Sequence, residues 1–139
     1  MKTAFTLLAS LGLLTGCSLL SSQPKLHTDQ EYIVEWIGER PLIDRSHLTF
    51  QLDTEQQRVH GFAGCNQWFG NYRLDGNQLS ISHIASTRKA CAPALMEQEN
   101  RYLQALPKVE RWDFSEHGQL QLWPAEGAAI RLWPKSNNQ

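Results

Sequence analysis

Apolar and polar residues alternate along most of this chain, and the alternation marks a series of short strands. A β-rich run over residues 31–37 carries Tyr32, Ile33, Val34, Trp36 and Ile37, and Gly38-Glu39-Arg40-Pro41 punctuates it. Leu48, Phe50 and Leu52 share one face of the next run, and the polar turn Asp53-Thr54-Glu55-Gln56 leads into Arg58 to Ala63, which predicts a hairpin. Asn66 to Leu74 follows a bend at Gly64-Cys65. Asp75-Gly76-Asn77 is a strong turn signal. Gln78 to Ile84 alternates again, with Leu79, Ile81 and, if the alternation continues, His83 on one face.

The period then changes. Leu95, Met96, Tyr102, Leu103 and Leu106 fit a helical repeat over 93–106, with Pro93 suited to the first turn and Pro107 ending it. Glu99 lies four residues from both Leu95 and Leu103, so it is either a partly buried carboxylate held by Arg88 or a backbone donor, or a solvated residue at the stripe edge. Three more strands follow: Val109 to Phe114, Leu120 to Trp123 and Ala129 to Trp133. Short strands joined by tight turns pair antiparallel. The expected fold is mainly β (α+β): a small antiparallel barrel or strongly curled sheet of about eight strands, with one helix between the fifth or sixth strand and the last three.

Two blocks interrupt this regular pattern. Gly61-Phe62-Ala63-Gly64-Cys65-Asn66-Gln67-Trp68-Phe69-Gly70-Asn71-Tyr72 places three glycines around a cysteine, and glycine inside a strand marks a bulge or a close backbone approach. Ser86-Thr87-Arg88-Lys89-Ala90-Cys91 answers it just before the helix.

The N-terminus changes the picture of compartment. Met1-Lys2, an apolar run to Leu14 and the small residues Thr15-Gly16 have the form of a secretory signal, and the run is too short for a confident spanning helix. Leu14-Thr15-Gly16-Cys17 resembles the bacterial lipoprotein box. That resemblance implies cleavage after residue 16, lipid on Cys17, membrane attachment through it and, with Ser18 rather than Asp next, outer-membrane sorting facing the periplasm. The organisation expected is a signal peptide at 1–16, a lipidated tether at 17–28, a folded domain at 29–135 and a tail at 136–139. Of three cysteines, one lipidated leaves two, and an even count outside the cytoplasm favours a Cys65–Cys91 bridge over two separate thiols. The 139 residues suit one domain, and their net charge of -1 becomes -2 once Lys2 leaves with the signal, so no nucleic-acid surface is expected.

The two blocks resemble the META domain, the family that includes the HslJ heat-shock lipoproteins. The matching residues are Gly61, Gly64, Cys65, Asn66, Gly70 and Tyr72 in the first block, and Ser86, Thr87, Arg88 and Cys91 in the second. Gln98, Glu99, Leu103 and Leu106 follow on the helix, and Tyr32 stands where the family usually carries a Trp. The resemblance implies a small barrel-like domain with one helix, in an envelope protein linked to stress tolerance or drug sensitivity. Some members are described as protease inhibitors, and their shape has been likened to the lipoprotein pilots of secretins.

No catalytic, cofactor or metal constellation stands out. Cys65 has His60 five positions away, on the opposite face of a strand, and Cys91 is available as its partner. The histidines are scattered at 27, 47, 60, 83 and 117, without metal-ligand spacing. Glu97 and Glu99 diverge by about 200° around a helix. The more informative residues are aromatic. Trp123 and Trp133 alternate with Leu120, Leu122, Ile130 and Leu132, so if the aliphatic residues line the core the indoles face outward with Gln121 and Arg131 between them, unless the helix covers them. Trp and Arg on one surface are typical of binding hot spots.

The function expected is therefore a non-enzymatic, lipid-anchored envelope protein that binds an envelope protein or supports stress tolerance. The alternatives are a barrel holding a small hydrophobic ligand, and a peptidase inhibitor acting through a loop such as 124–127.

Overall fold

The computed structural model describes residues 24–136. Residues 1–23, with the expected signal peptide and Cys17, and the last three residues lie outside the described residues. An antiparallel sheet closes into a barrel of eight strands: β1 (Tyr32–Ile37), β3 (Thr49–Asp53), β4 (Arg58–Phe62), β5 (Gln67–Asp75), β6 (Gln78–Ser86), β7 (Val109–Phe114), β8 (Leu120–Pro124) and β9 (Ile130–Pro134). The first and last strands complete the circle, with Ile33 opposite Trp133 and Ile37 opposite Ile130. A two-residue strand, β2 (Arg40–Pro41), folds back on the end of β1 through the positive-φ turn at Gly38. The helix α1 (Pro93–Ala105) and a 3-10 turn (Leu106–Lys108) connect β6 to β7.

Alternation works as expected on most strands. Val34, Phe50, Leu52, Val59, Trp68, Leu79, Ile81, Leu120, Leu122, Ile130 and Leu132 point inward and fill the barrel. Trp68, Tyr32, Tyr102 and Phe50 are the largest of the fully buried side chains, so the interior is occupied by the protein's own aromatics.

Alternation fails on β6. Between Phe69 and Asn71 the register with β5 shifts, and His83 takes a φ of 53°. His83 therefore faces solvent and does not continue the Leu79–Ile81 face. Gly70 permits this bulge, since a Cβ there would meet the Ser82 carbonyl oxygen at 2.8 Å.

The two ends of the barrel are closed differently. At one, α1 lies across the mouth, with Tyr102 and Leu106 buried. Beside the β5–β6 turn, at the other, Leu26 is buried against the core and the Asp29 N–H bonds the Leu52 carbonyl at 2.8 Å. Residues 24–28, read from the sequence as tether, thus contribute a side chain to the fold. An isolated leucine between Lys25 and His27 has no periodic neighbours to announce it.

Candidate functional site

Three segments converge at the helix-capped end: the bend Gly64-Cys65-Asn66, the strand exit 86–91, and one face of α1. Gly64 has a φ of 101°, a conformation that favours glycine, and it turns the following backbone N–H groups toward the helix. Glu99 receives them. Its Oε2 accepts from the Asn66 N–H at 2.7 Å and the Cys65 N–H at 3.3 Å, and its Oε1 accepts from Asn66 Nδ2 at 2.7 Å. Glu99 is buried. Of the partners considered from the sequence, backbone donors hold it. Arg88 is exposed and takes no part.

Asn66 is the hub. Its Oδ1 accepts from Thr87 Oγ1 at 2.9 Å and from the Lys89 N–H at 2.7 Å, while Nδ2 also reaches the Lys89 carbonyl at 3.2 Å. Thr87 Oγ1 in turn accepts from the Gln67 N–H at 3.1 Å. Cys65 and Cys91 form a disulfide across 26 residues, so the strand bend is joined covalently to the start of α1. These groups satisfy one another, and both sulfurs are bonded, which leaves the cluster a structural clasp.

Below the clasp, the Thr49 carbonyl accepts from Trp68 Nε1 at 3.3 Å and from Tyr102 Oη at 3.1 Å. The Trp68 and Tyr102 rings meet edge to face at 5.8 Å. Burial pushes the Tyr102 phenol well above its ordinary value of 10.0. Gly61 makes the arrangement possible, because a Cβ there would overlap the Thr49 carbonyl. Tyr72, the remaining aromatic of the block, is half-buried and packs against the core.

The helix buries two of the residues that its sequence singled out, Glu99 and Tyr102, together with Gln98, which lay off the apolar stripe. Gln98, Glu99 and Tyr102 are its most enclosed side chains, whereas Leu95, Met96 and Leu103 are only half-buried. Gln98 Oε1 accepts the Ile43 N–H at 2.8 Å. At this mouth the Ile43, Cys65 and Asn66 N–H groups and the Thr49 carbonyl all need partners, and α1 supplies Gln98 and Glu99 as acceptors and Tyr102 as a donor.

The outer face of β7, β8, β9 and β1 carries three outward tryptophans, Trp36, Trp123 and Trp133. Asp113, Gln121, Arg131 and Trp36 stand side by side across the four strands. Arg131 stacks over Trp36 at 4.4 Å, and Arg111 over Trp123 at 4.8 Å. Each outlying indole is oriented by a carboxylate: Trp123 Nε1 donates to Asp113 Oδ1 at 2.9 Å and Trp133 Nε1 to Glu35 Oε2 at 3.0 Å. Trp133 is 38% exposed and Trp123 is half-buried, and α1 lies at the barrel mouth rather than over them. The paired Gln121 and Arg131 stand between Trp123 and Trp133 along this face, and Arg131 stacks on Trp36 rather than on either of them. Among the described residues no three His, Cys, Asp or Glu side chains gather as a metal site, and no described helix is long and apolar enough to cross a membrane.

Comparison with known proteins agrees with this architecture. An NMR structure of a protein from Burkholderia xenovorans is similar with a TM-score of 0.65 and 25% identity, over 79% of this chain and 84% of that one. A second NMR structure shares the fold with a TM-score of 0.57 and 23% identity, over 74% of this chain and 86% of the other. No curated protein matches the chain. The META domain profile matches residues 25–137, which begins one residue before the buried Leu26 and runs past the last strand, and on that match the chain belongs to the META domain family.

Proposed function

We propose that this protein is a non-catalytic envelope protein, anchored to the outer membrane through a lipidated Cys17 and facing the periplasm, whose META domain acts by binding a protein partner. Its leader and lipobox-like Leu14-Thr15-Gly16-Cys17 support the anchor, and the link to stress tolerance rests on the HslJ-like resemblance. The filled barrel interior favours recognition on the outside over a hydrophobic ligand held within.

The observation that carries the reading is the outer face of β1 and β7–β9. Trp123 and Trp133 are held in fixed orientations by Asp113 and Glu35, so little side-chain entropy remains to be lost on binding. Flanking arginines stacked on indoles complete the composition of a binding hot spot.

Crosslinking in intact cells, followed by affinity capture and mass spectrometry, tests it. The double variant Trp123→Ala/Trp133→Ala is expected to lose partners that the parent captures. Retention of the full set by the folded double variant refutes this surface, and a Cys17→Ala variant that stays in the membrane fraction refutes the anchor.

A further inference from the structure

The barrel is not evenly sealed. Between β6 and β7 the register holds at a single pair, Gln78 opposite Arg111, with the Trp112 N–H bonding the Asn77 carbonyl at 2.9 Å just beyond. Past that point β6 continues to Ser86 with β5 on one side and no described strand on the other. The direction of its backbone groups follows from one bond. The Thr87 N–H points to the Gln67 carbonyl, toward β5, at 3.0 Å. Backbone groups of alternate residues in an antiparallel strand point to opposite sides, so Ala85 shares that direction while Ile84 and Ser86 point away from β5.

That free edge borders a groove. Its floor and far wall come from α1 and the 3-10 turn, with Met96, Leu103 and Pro107 facing Ile84 and Ser86. The volume is about 600 Å³ beside the helix and about 520 Å³ where the groove continues to the 3-10 turn. Charge in the groove is one-sided. Arg88, Lys89 and Lys108 line it, and the single acidic residue, Glu99, is committed to the Cys65 and Asn66 donors.

We propose that this groove takes an extended acidic peptide segment of a partner protein, which adds as a short strand to the Ile84–Ser86 edge. The backbone edge supplies hydrogen bonds that do not depend on sequence, the half-buried Met96 and Leu103 take alternate apolar side chains, and the basic residues select acidic flanks. The bulge at Ser82–Ile84 limits the added strand to a few residues, so the attachment is short and reversible. This site is separate from the aromatic face and does not depend on it.

Selection of randomised octapeptides displayed on phage against the folded chain tests the proposal, followed by fluorescence anisotropy on synthetic versions of the enriched sequences. The expected result is enrichment of acidic, proline-free sequences. Their affinity should fall about tenfold or more on Arg88→Glu/Lys89→Glu and again when alternate peptide amides are N-methylated. Both basic side chains are exposed, so the charge reversal leaves the fold intact. Trp123→Ala/Trp133→Ala should leave peptide affinity unchanged, which separates this site from the aromatic face. No acidic enrichment, equal binding to the charge-reversed variant, or indifference to N-methylation overturns it.

Discussion

Glu99 holds Asn66 from two directions, accepting its backbone N–H on one carboxylate oxygen and its side-chain amide on the other, each at 2.7 Å. The residues are 33 apart, so this pair fixes the helix to the strand bend independently of the disulfide. A carboxylate is required because every group facing it is a donor. Glu99→Gln sets an amide NH₂ against one of those donors. The expected loss is about 2–3 kcal/mol in urea unfolding, in the range for a hydrogen bond to a charged group plus an unmade one. A loss below about 0.5 kcal/mol refutes the role given to this carboxylate.

The disulfide acts on the same joint by a different route. Closing a loop of 26 residues restricts the unfolded chain, and Cys65→Ala/Cys91→Ala is expected to cost about 3–4 kcal/mol. The far-UV circular dichroism of the variant should stay native, because the Asn66 bonds do not involve sulfur. Thiol alkylation of the native parent, read by intact mass, should modify neither cysteine.

Much of this was legible in the chain. Alternation placed most of the barrel strands, because each has one face in the core and the other turned outward. The glycine positions flagged the bend at Gly64 and the close approach at Gly61, though not what approached. The β2 return was hidden because Arg40-Pro41 follows a turn and is exposed, with no apolar pattern. The apolar stripe on α1 was only partly its contact face: Tyr102 and Leu106 are buried as expected, but Gln98 and Glu99 are buried beside them while Leu95, Met96 and Leu103 stay half-buried. His83 broke the alternation through a bulge whose signal, Gly70, sits on the neighbouring strand.

Gly61 offers a sharper test of packing. A methyl group there would overlap the Thr49 carbonyl, which is already bonded to Trp68 and Tyr102. Backbone cannot move aside as a flexible side chain would, so relief requires separating β3 from β4. Gly61→Ala is expected to destabilise by about 3 kcal/mol, at the upper end for overpacking. Loss of the tryptophan fluorescence signature of buried Trp68 should accompany it. A variant with parental stability would show that the Thr49 carbonyl is not fixed.

Tyr102 sets the alkaline limit. Its folded-state pKa lies well above 10.0 because its phenol is fully enclosed, whereas the unfolded chain ionises it near the ordinary value. Below about pH 10 both states carry the proton and stability is unaffected; above it the unfolded state binds fewer protons, so stability falls as pH rises. Tyr102→Phe loses about 1 kcal/mol at neutral pH through the bond to Thr49, and its stability should decline less steeply above about pH 10. Tyr32, also raised by burial, leaves a residual slope. Urea midpoints measured across this range in parent and variant decide the matter, and equal slopes exclude Tyr102 as the source.

Arg101 presents the opposite case, a charged group whose surroundings do not repay its burial. Its Nε and Nη1 are buried without a hydrogen-bond partner among the described residues, and the side chain lines a shallow cavity at the barrel mouth together with Ala105 and Val109. Unmade buried donors cost about 1–3 kcal/mol, and the stem of this half-buried side chain contributes apolar contact that any long side chain can supply. Arg101→Met keeps the stem and removes the donors, so it should raise stability by about 1 kcal/mol. Arg101→Ala removes both and should gain less or lose. The comparison isolates the donors from the packing: if methionine is no better than alanine, those nitrogens are satisfied in solution and the cost assigned to them does not exist.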